Sequence, residues 1–326
     1  MFALVQSHSE GDDSQFYSVA MQVAAKEARA GRAKFAQELR DLVDQVRVQS
    51  PVTPRVAPVT PLVLPRGDVA SLLSVSYPDA RLSDLVLAPE VGDAIETLLL
   101  EQRQRDMLAR HGLTPSRRVL LIGPPGTGKT FTAHMIAGEL GLPLFVIRFD
   151  ALITKFMGET AAKLRLVFDE LAETRGVYLF DEVDALAGDR GMSNDVGEIR
   201  RVLNSFLLFL ESDASDSIIL AATNHPRLLD PAVFRRFDSV IRFPLPDEDA
   251  ARAVVQNRLS GFNLSSISWP RVLEAAVGLS HAEICVAAEN AAKRAVLTRK
   301  SRIVTDSLVA ALQGRPRKRS EGSGGD

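Results

Sequence analysis

The sequence predicts an α/β fold: a parallel sheet with helices on both faces, followed by a small helical domain. Three observations predict it. Short, wholly apolar runs alternate with segments whose apolar residues recur at helical spacing, the pattern of strands covered on both sides. A glycine-rich turn joins the first of those runs to the first such helix. Beyond Asp247 the strand-like runs stop and helical periodicity alone continues.

Composition fits this fold and narrows its function. The chain has 326 residues, a length that corresponds to about two domains. Its 39 basic and 41 acidic side chains leave a net charge of −2, which argues against a nucleic-acid binder held mainly by charge. The single cysteine, Cys285, excludes an internal disulfide and a cysteine-based zinc cluster. Apolar runs such as Ile218–Ala222 fall far short of the roughly 20 residues that span a bilayer. Residues 1–13 carry no signal-peptide core, so a cytoplasmic protein that does not enter a membrane is expected.

In chain order, Gln15 to Gln49 shows helix-spaced apolar residues (Phe16, Val19, Val23, then Phe35, Leu39, Leu42, Val46) interrupted at Gly31. That spacing predicts a two-helix N-terminal segment over residues 1–50. Pro51, Pro54, Pro58, Pro61 and Pro65 follow; this density precludes helix and predicts an extended linker over 51–75. Strands are predicted at Val119–Ile122, Leu144–Phe149, Val177–Phe180, Ser217–Thr223 and Val240–Phe243, within a large domain spanning 76–246. Between them lie helical stripes, among them Leu164, Val167, Phe168, Leu171 and Ile199, Val202, Leu203, Phe206, Leu207, Leu210. A helical domain is expected over 247–313. One of its helices starts at Ser280, where Ser280-His281-Ala282-Glu283 fits a capping box. Residues 314–326, rich in Arg, Lys, Gly and Ser, are expected to be a disordered tail.

Gly123-Pro124-Pro125-Gly126-Thr127-Gly128-Lys129-Thr130 satisfies the P-loop pattern G-x-x-x-x-G-K-[ST] between a predicted strand and a predicted helix. Its glycines let backbone N–H groups turn inward around phosphate oxygens. Lys129 is placed to bridge the β- and γ-phosphates, and the Thr130 hydroxyl to ligate Mg²⁺. The apolar run Val177–Phe180 ends in Asp181-Glu182. Asp181 can hold the metal's hydration shell while Glu182 orients the attacking water. ATP and Mg²⁺ are therefore the expected substrate and cofactor of a P-loop NTPase.

These motifs, with Ala222-Thr223-Asn224 and Leu229-Asp230-Pro231-Ala232-Val233-Phe234-Arg235-Arg236-Phe237-Asp238, resemble the AAA ATPases of the classical clade over Tyr77 to Leu312. The resemblance implies an α/β ATPase domain with a helical lid. It makes Asn224 the sensor-1 residue and Arg235 and Arg236 arginine fingers reaching a neighbouring subunit's nucleotide. The adjacent pair is similar to that of spastin and katanin, and leaves open which arginine dominates. Lys155-Phe156-Met157-Gly158 resembles a first pore loop that grips extended polypeptide; aromatic and thioether groups give adaptable apolar contact. The polar loop at 188–195 is at the second pore-loop position, and a plain surface turn accounts for it equally. Gly278-Leu279-Ser280-His281-Ala282-Glu283 resembles the sensor-2 element, where the family usually has a small residue in place of His281. That histidine either alters how the lid touches nucleotide or is a solvated helix-start residue, the second being favoured. Cys285 and Trp269 read as packing residues.

The function implied is an ATP hydrolase, a hexameric homo-oligomer that unfolds or remodels a protein substrate by threading it through a central pore. The alternative is a DNA-associated AAA+ loader or transposition regulator, disfavoured by the near-neutral charge and the aromatic pore-loop candidate. Some chains of this plan are paired with a subtilisin-like serine protease, which the resemblance carries as a partner; this sequence itself holds no protease signature.

Overall fold

The computed structural model describes residues 67–148, 152, 159–187, 196–298 and 302–316. The expected N-terminal helices, most of the proline-rich linker, the pore-loop residues Lys155, Phe156, Met157 and Gly158, the 188–195 loop and the tail from residue 317 lie outside the described residues.

Six strands form one sheet: β1 (Leu73–Ser76), β2 (Arg118–Ile122), β3 (Leu144–Arg148), β4 (Val177–Asp181), β5 (Ile218–Thr223) and β6 (Ser239–Arg242). Their order is β1-β3-β4-β5-β2-β6. All pairings are parallel except β1 with β3. The five parallel strands are those the sequence predicts. Strand β1 has no counterpart in the sequence reading, which runs a linker through residue 75. Its Leu-Ser-Val-Ser alternation is four residues long, too short for periodicity to single out.

The strand residues are apolar on both sides because both faces are covered. On one face Leu120, Phe145, Ile147, Tyr178, Phe180 and Ile219 pack against α4 (Glu159–Glu173) and α5 (Val196–Ser212). Phe168 of α4 and Phe206 of α5 meet Phe180 with ring centroids 5.6 and 5.1 Å apart. Truncating a buried phenylalanine of this kind to alanine typically costs about 3–5 kcal/mol. The alternate residues, Val119, Leu121, Val177, Leu179, Ile218 and Leu220, face α1 (Pro89–Arg103) and α3 (Lys129–Leu140); a short helix α2 (Arg105–Arg110) follows α1. Alternation with period two thus divides one apolar run between two cores.

Gly138, inside α3, marks where the chain ahead of α1 crosses that helix. A Cβ there would lie 2.3 Å from the Ala80 carbonyl oxygen. The crossing is fastened by the Arg81 guanidinium donating to the Gly138 carbonyl at 3.1 Å and by the Leu82 N–H donating to Glu139 Oε1 at 3.1 Å. This carries residues 82–86 on toward the carboxyl ends of the strands.

A short helix α6 (Pro231–Phe234), capped by the Asp230 carboxylate, links β5 to β6. Four helices follow among the described residues: α7 (Glu248–Arg258), α8 (Trp269–Ala276), α9 (His281–Leu297) and α10 (Thr305–Gln313). They share a core of Val254, Val255, Val272, Leu279, Ile284, Ala287, Ala288 and Leu308. Helix α9 begins with the expected capping box. The Ser280 hydroxyl accepts from the Glu283 N–H, and the Glu283 carboxylate accepts from the Ser280 N–H at 2.7 Å. Trp269 packs at the edge of this core, with the Arg252 guanidinium 4.8 Å over its ring. No helix among the described residues is long and apolar enough to cross a membrane.

Candidate active site

Strand β2 ends at Ile122 and α3 begins at Lys129; the loop between them is the P-loop of the sequence. Gly123, Gly126 and Gly128 all take positive φ. Gly123 is further required by close approach, since a Cβ would stand 2.3 Å from the Phe243 carbonyl oxygen. The Thr127 hydroxyl donates to the Pro124 carbonyl at 2.8 Å and is buried within the turn. Around this bowl the Lys129 ammonium donates to the carbonyls of Gly123 (2.8 Å) and Pro124 (2.9 Å) and to Asn224 Oδ1 (2.8 Å). A buried ammonium has three N–H bonds to place, and these contacts fix its head at the mouth of the loop. The leading N–H groups of α3 and its positive dipole end face the same space, an arrangement suited to a phosphate chain.

Strands β4, β5 and β2 are consecutive in the sheet, so their carboxyl ends converge. At the end of β4, Asp181 Oδ2 accepts from the Thr130 hydroxyl at 2.8 Å and Oδ1 from the Glu182 N–H at 3.0 Å. Glu182 is exposed and takes φ 56°, a left-handed conformation uncommon outside glycine, asparagine and aspartate. Asn224 follows β5, its N–H donating to Asp184 Oδ1 at 3.3 Å. The structure therefore brings the P-loop, Asp181, Glu182 and Asn224 to one place. The hydroxyl and carboxylate oxygens of Thr130 and Asp181 form the hard-oxygen pair that Mg²⁺ favours.

These groups border a cavity of about 660 Å³, within the range of ligand sites. Its other wall joins His281 and Ala282 of the sensor-2-like segment to residues the sequence did not mark as site residues: Asp84 and Leu85 from the segment crossing α3, Arg258 of α7 and Cys285 of α9. No local pattern marks Asp84 or Arg258; the α3 crossing and the lid helices bring them there. The lid meets the P-loop directly, the Ala282 N–H donating to the Gly126 carbonyl at 3.0 Å. Cys285 is half-buried and does more than fill space, since it lines the cavity; burial pushes its thiol pKa up, against the opposing pull of Arg258.

His281 corrects the favoured reading of a solvated residue. Its side chain is buried, with the residue 9% exposed, at a helix start docked on the P-loop through the Ala282 N–H and the Gly126 carbonyl. Burial lowers the imidazole pKa from its ordinary value, with Asp247 opposing, so the ring is neutral near pH 7. Neither ring nitrogen has a hydrogen-bond partner.

Arg235 and Arg236 stand apart from this cavity. Arg235 is exposed at the end of α6, whereas Arg236 is half-buried and ion-paired with Glu211 of α5. The pore-loop residues Lys155 to Gly158 lie outside the described residues.

A mainly parallel sheet whose strand–loop–helix carries G-x-x-x-x-G-K-[ST], with an acidic pair at the end of the strand next but one, defines the class: a P-loop NTPase. Comparison with known proteins makes this narrower. Residues 119–245 match the model of the ATPase family associated with various cellular activities (AAA). An uncharacterized AAA family ATPase, y4kL of Sinorhizobium fredii, is 34% identical over 96% of this chain and 94% of its own length. A proteasome-activating nucleotidase of Methanococcus vannielii is 32% identical over 75% of this chain and 63% of its own. The ATP-dependent zinc metalloprotease FtsH of Acidothermus cellulolyticus is 30% identical over 74% of this chain, but only 38% of that protein is spanned. The crystal structure of the FIGL-1 AAA domain has the same fold, with a TM-score of 0.63 at 23% identity over 82% of this chain and 94% of that one. The chain belongs to the AAA family and is an ATP-hydrolysing enzyme.

Proposed function

We propose that the protein is a ring-forming AAA ATPase, a hexamer that works on protein substrates in the cytoplasm by drawing polypeptide through a central pore. The observation that carries the ATPase part of this reading is the convergence of Lys129 with Asn224, and of Thr130 with Asp181, each at 2.8 Å, on one cavity. In this reading the P-loop N–H groups and Lys129 bind the phosphate chain. Thr130 and Asp181 hold Mg²⁺, which neutralises phosphate charge when bound. Glu182 accepts a proton from the attacking water, and Asn224 orients that water or the γ-phosphate. Arg235, exposed and away from its own chain's cavity, is the better placed of the two arginines to enter a neighbour's site. Two relatives are named for work tied to proteolysis, a proteasome-activating nucleotidase and an ATP-dependent zinc metalloprotease. They support a protein substrate, as do Phe156 and Met157 as an apolar grip.

The test is nucleotide binding set beside turnover. Glu182→Gln should keep ATP affinity and lose about 100-fold or more in turnover, the range for removing a general base. Lys129→Ala should weaken binding itself. Wild-type turnover from Glu182→Gln would overturn the role given to that carboxylate.

A further inference from the structure

Asn224 is the point where two parts of the site meet. On one side it is tied to the P-loop. Its Oδ1 accepts from the Lys129 ammonium at 2.8 Å, and the carbonyl of the preceding Thr223 accepts from the Gly123 N–H at 3.3 Å. On the other side its own N–H donates to Asp184 Oδ1 at 3.3 Å, across 40 residues of chain. Asp184 sits on a firm base. It belongs to the 3₁₀ turn Val183–Ala187, directly after Glu182. The Ala185 N–H closes that turn on the Glu182 carbonyl at 2.9 Å, and Val183 is buried in the core beside β4. An aspartate at the start of a helical turn ordinarily serves the free N–H groups of its own turn. Asp184 instead reaches the loop that follows β5, and the residues lining the cavity do not include it.

Resting on the ATPase reading above, we infer that Asp184 is a positioning residue for hydrolysis, acting through Asn224 by holding that residue's backbone to the turn that carries Glu182. An ammonium has no acceptor, so Lys129 keeps the oxygen of the Asn224 amide on its own side and leaves the NH₂ group free to donate elsewhere. Where that donor points then depends on where the Asn224 backbone is fixed. Asp184 fixes it against the Glu182 turn through a hydrogen bond strengthened by the carboxylate charge. The group that orients the water or the γ-phosphate and the group that takes the water's proton thereby keep one separation. A misplacement of about 1 Å at such a centre can cost about 100-fold in rate. Asp184 itself touches no phosphate in this scheme, so ATP binding does not depend on it.

The test compares the full chain with Asp184→Ala, Asp184→Asn, Asn224→Ala and the Asp184→Ala/Asn224→Ala double variant. ATP affinity with magnesium is measured by equilibrium binding, kcat by phosphate release at saturating ATP, and thermal midpoints alongside. Asp184→Ala should keep its ATP affinity and lose about 10- to 100-fold in kcat. Asp184→Asn, which keeps an oxygen acceptor at Oδ1, should recover most of that loss. In the Asn224→Ala background, Asp184→Ala should cost no more than about two-fold further, because it acts through the amide already removed. Unchanged kcat in Asp184→Ala, affinity and kcat falling together, or losses that multiply in the double variant would each overturn the inference. If Asp184→Ala does not fold, Asp184→Asn decides alone: a kcat as low as that of Asn224→Ala overturns the inference. A slow Asn224→Ala beside a normal Asp184→Ala leaves the ATPase reading standing without the inference, whereas wild-type turnover from Asn224→Ala overturns the role given to Asn224 in that reading itself.

Discussion

Glu182 shows how one residue at this site trades stability against chemistry. Its φ of 56° places Cβ close to the following carbonyl, a cost of roughly 1–2 kcal/mol for a residue with a side chain. The Asp181 carboxylate accepts the Glu182 N–H at 3.0 Å and so holds the turn in this conformation. Strain of this sort persists where surrounding structure over-determines it. Glycine carries no Cβ penalty at positive φ, although it loses more chain entropy on folding. Glu182→Gly is therefore expected to match or exceed the parent in stability, by up to about 1 kcal/mol, while losing the carboxylate that the proposed hydrolysis uses. Urea unfolding monitored by circular dichroism checks the first half and phosphate release the second. A glycine variant clearly less stable than the parent would show that the turn stores no strain.

At the scale of elements, the informative contact is the crossing of the Pro78–Leu82 segment over α3. Gly138 is an interior residue of that helix, where alanine is ordinarily better by about 0.8–1 kcal/mol. Here the added methyl would lie 2.3 Å from the Ala80 carbonyl oxygen, backbone that cannot swing aside as a side chain does. The steric term outweighs propensity, so Gly138→Ala should destabilise the protein by about 1–3 kcal/mol, the usual range for overpacking. It should also weaken ATP binding, since the same segment delivers Asp84 and Leu85 to the cavity wall. Thermal unfolding with and without ATP separates the two effects; a Gly138→Ala protein more stable than its parent would show that the crossing yields freely.

For the whole molecule, the placement of the arginines has the largest consequence. Arg236 is held by Glu211 within its own chain, while Arg235 projects from the end of α6. Arginine is always charged, and its planar fork suits charge spread over phosphoryl oxygens. Supplied in trans, such a group is worth about 10³–10⁵ in turnover. Specific activity should accordingly rise with protein concentration as subunits associate, measured by phosphate release alongside sedimentation. A double variant, Arg235→Ala with Arg236→Ala, should bind ATP normally and turn it over poorly. Mixing it with Lys129→Ala should restore part of the activity through interfaces that join an intact P-loop to an intact arginine pair. Concentration-independent activity from a demonstrated monomer would refute a shared site.

The P-loop, the Asp181-Glu182 pair and the five parallel strands were legible in the sequence by itself, because each is local; Asn224 came only from the family resemblance. A run such as Val177–Asp181 states its two-sided burial and its acidic end within five residues, and Gly123 to Thr130 states its turn and its lysine within eight. What the tertiary structure alone decided is the other half of the cavity. Strand β1 is held by its pairing with β3, not by its own short pattern. Asp84 and Leu85 reach the site because Gly138 lets one segment lie across a helix. His281 reads as the solvated start of a capped helix until α9 is docked on the P-loop through Gly126 and Ala282. Burial of a polar ring is a property of the space between elements far apart in the chain, and only packing in three dimensions creates that space.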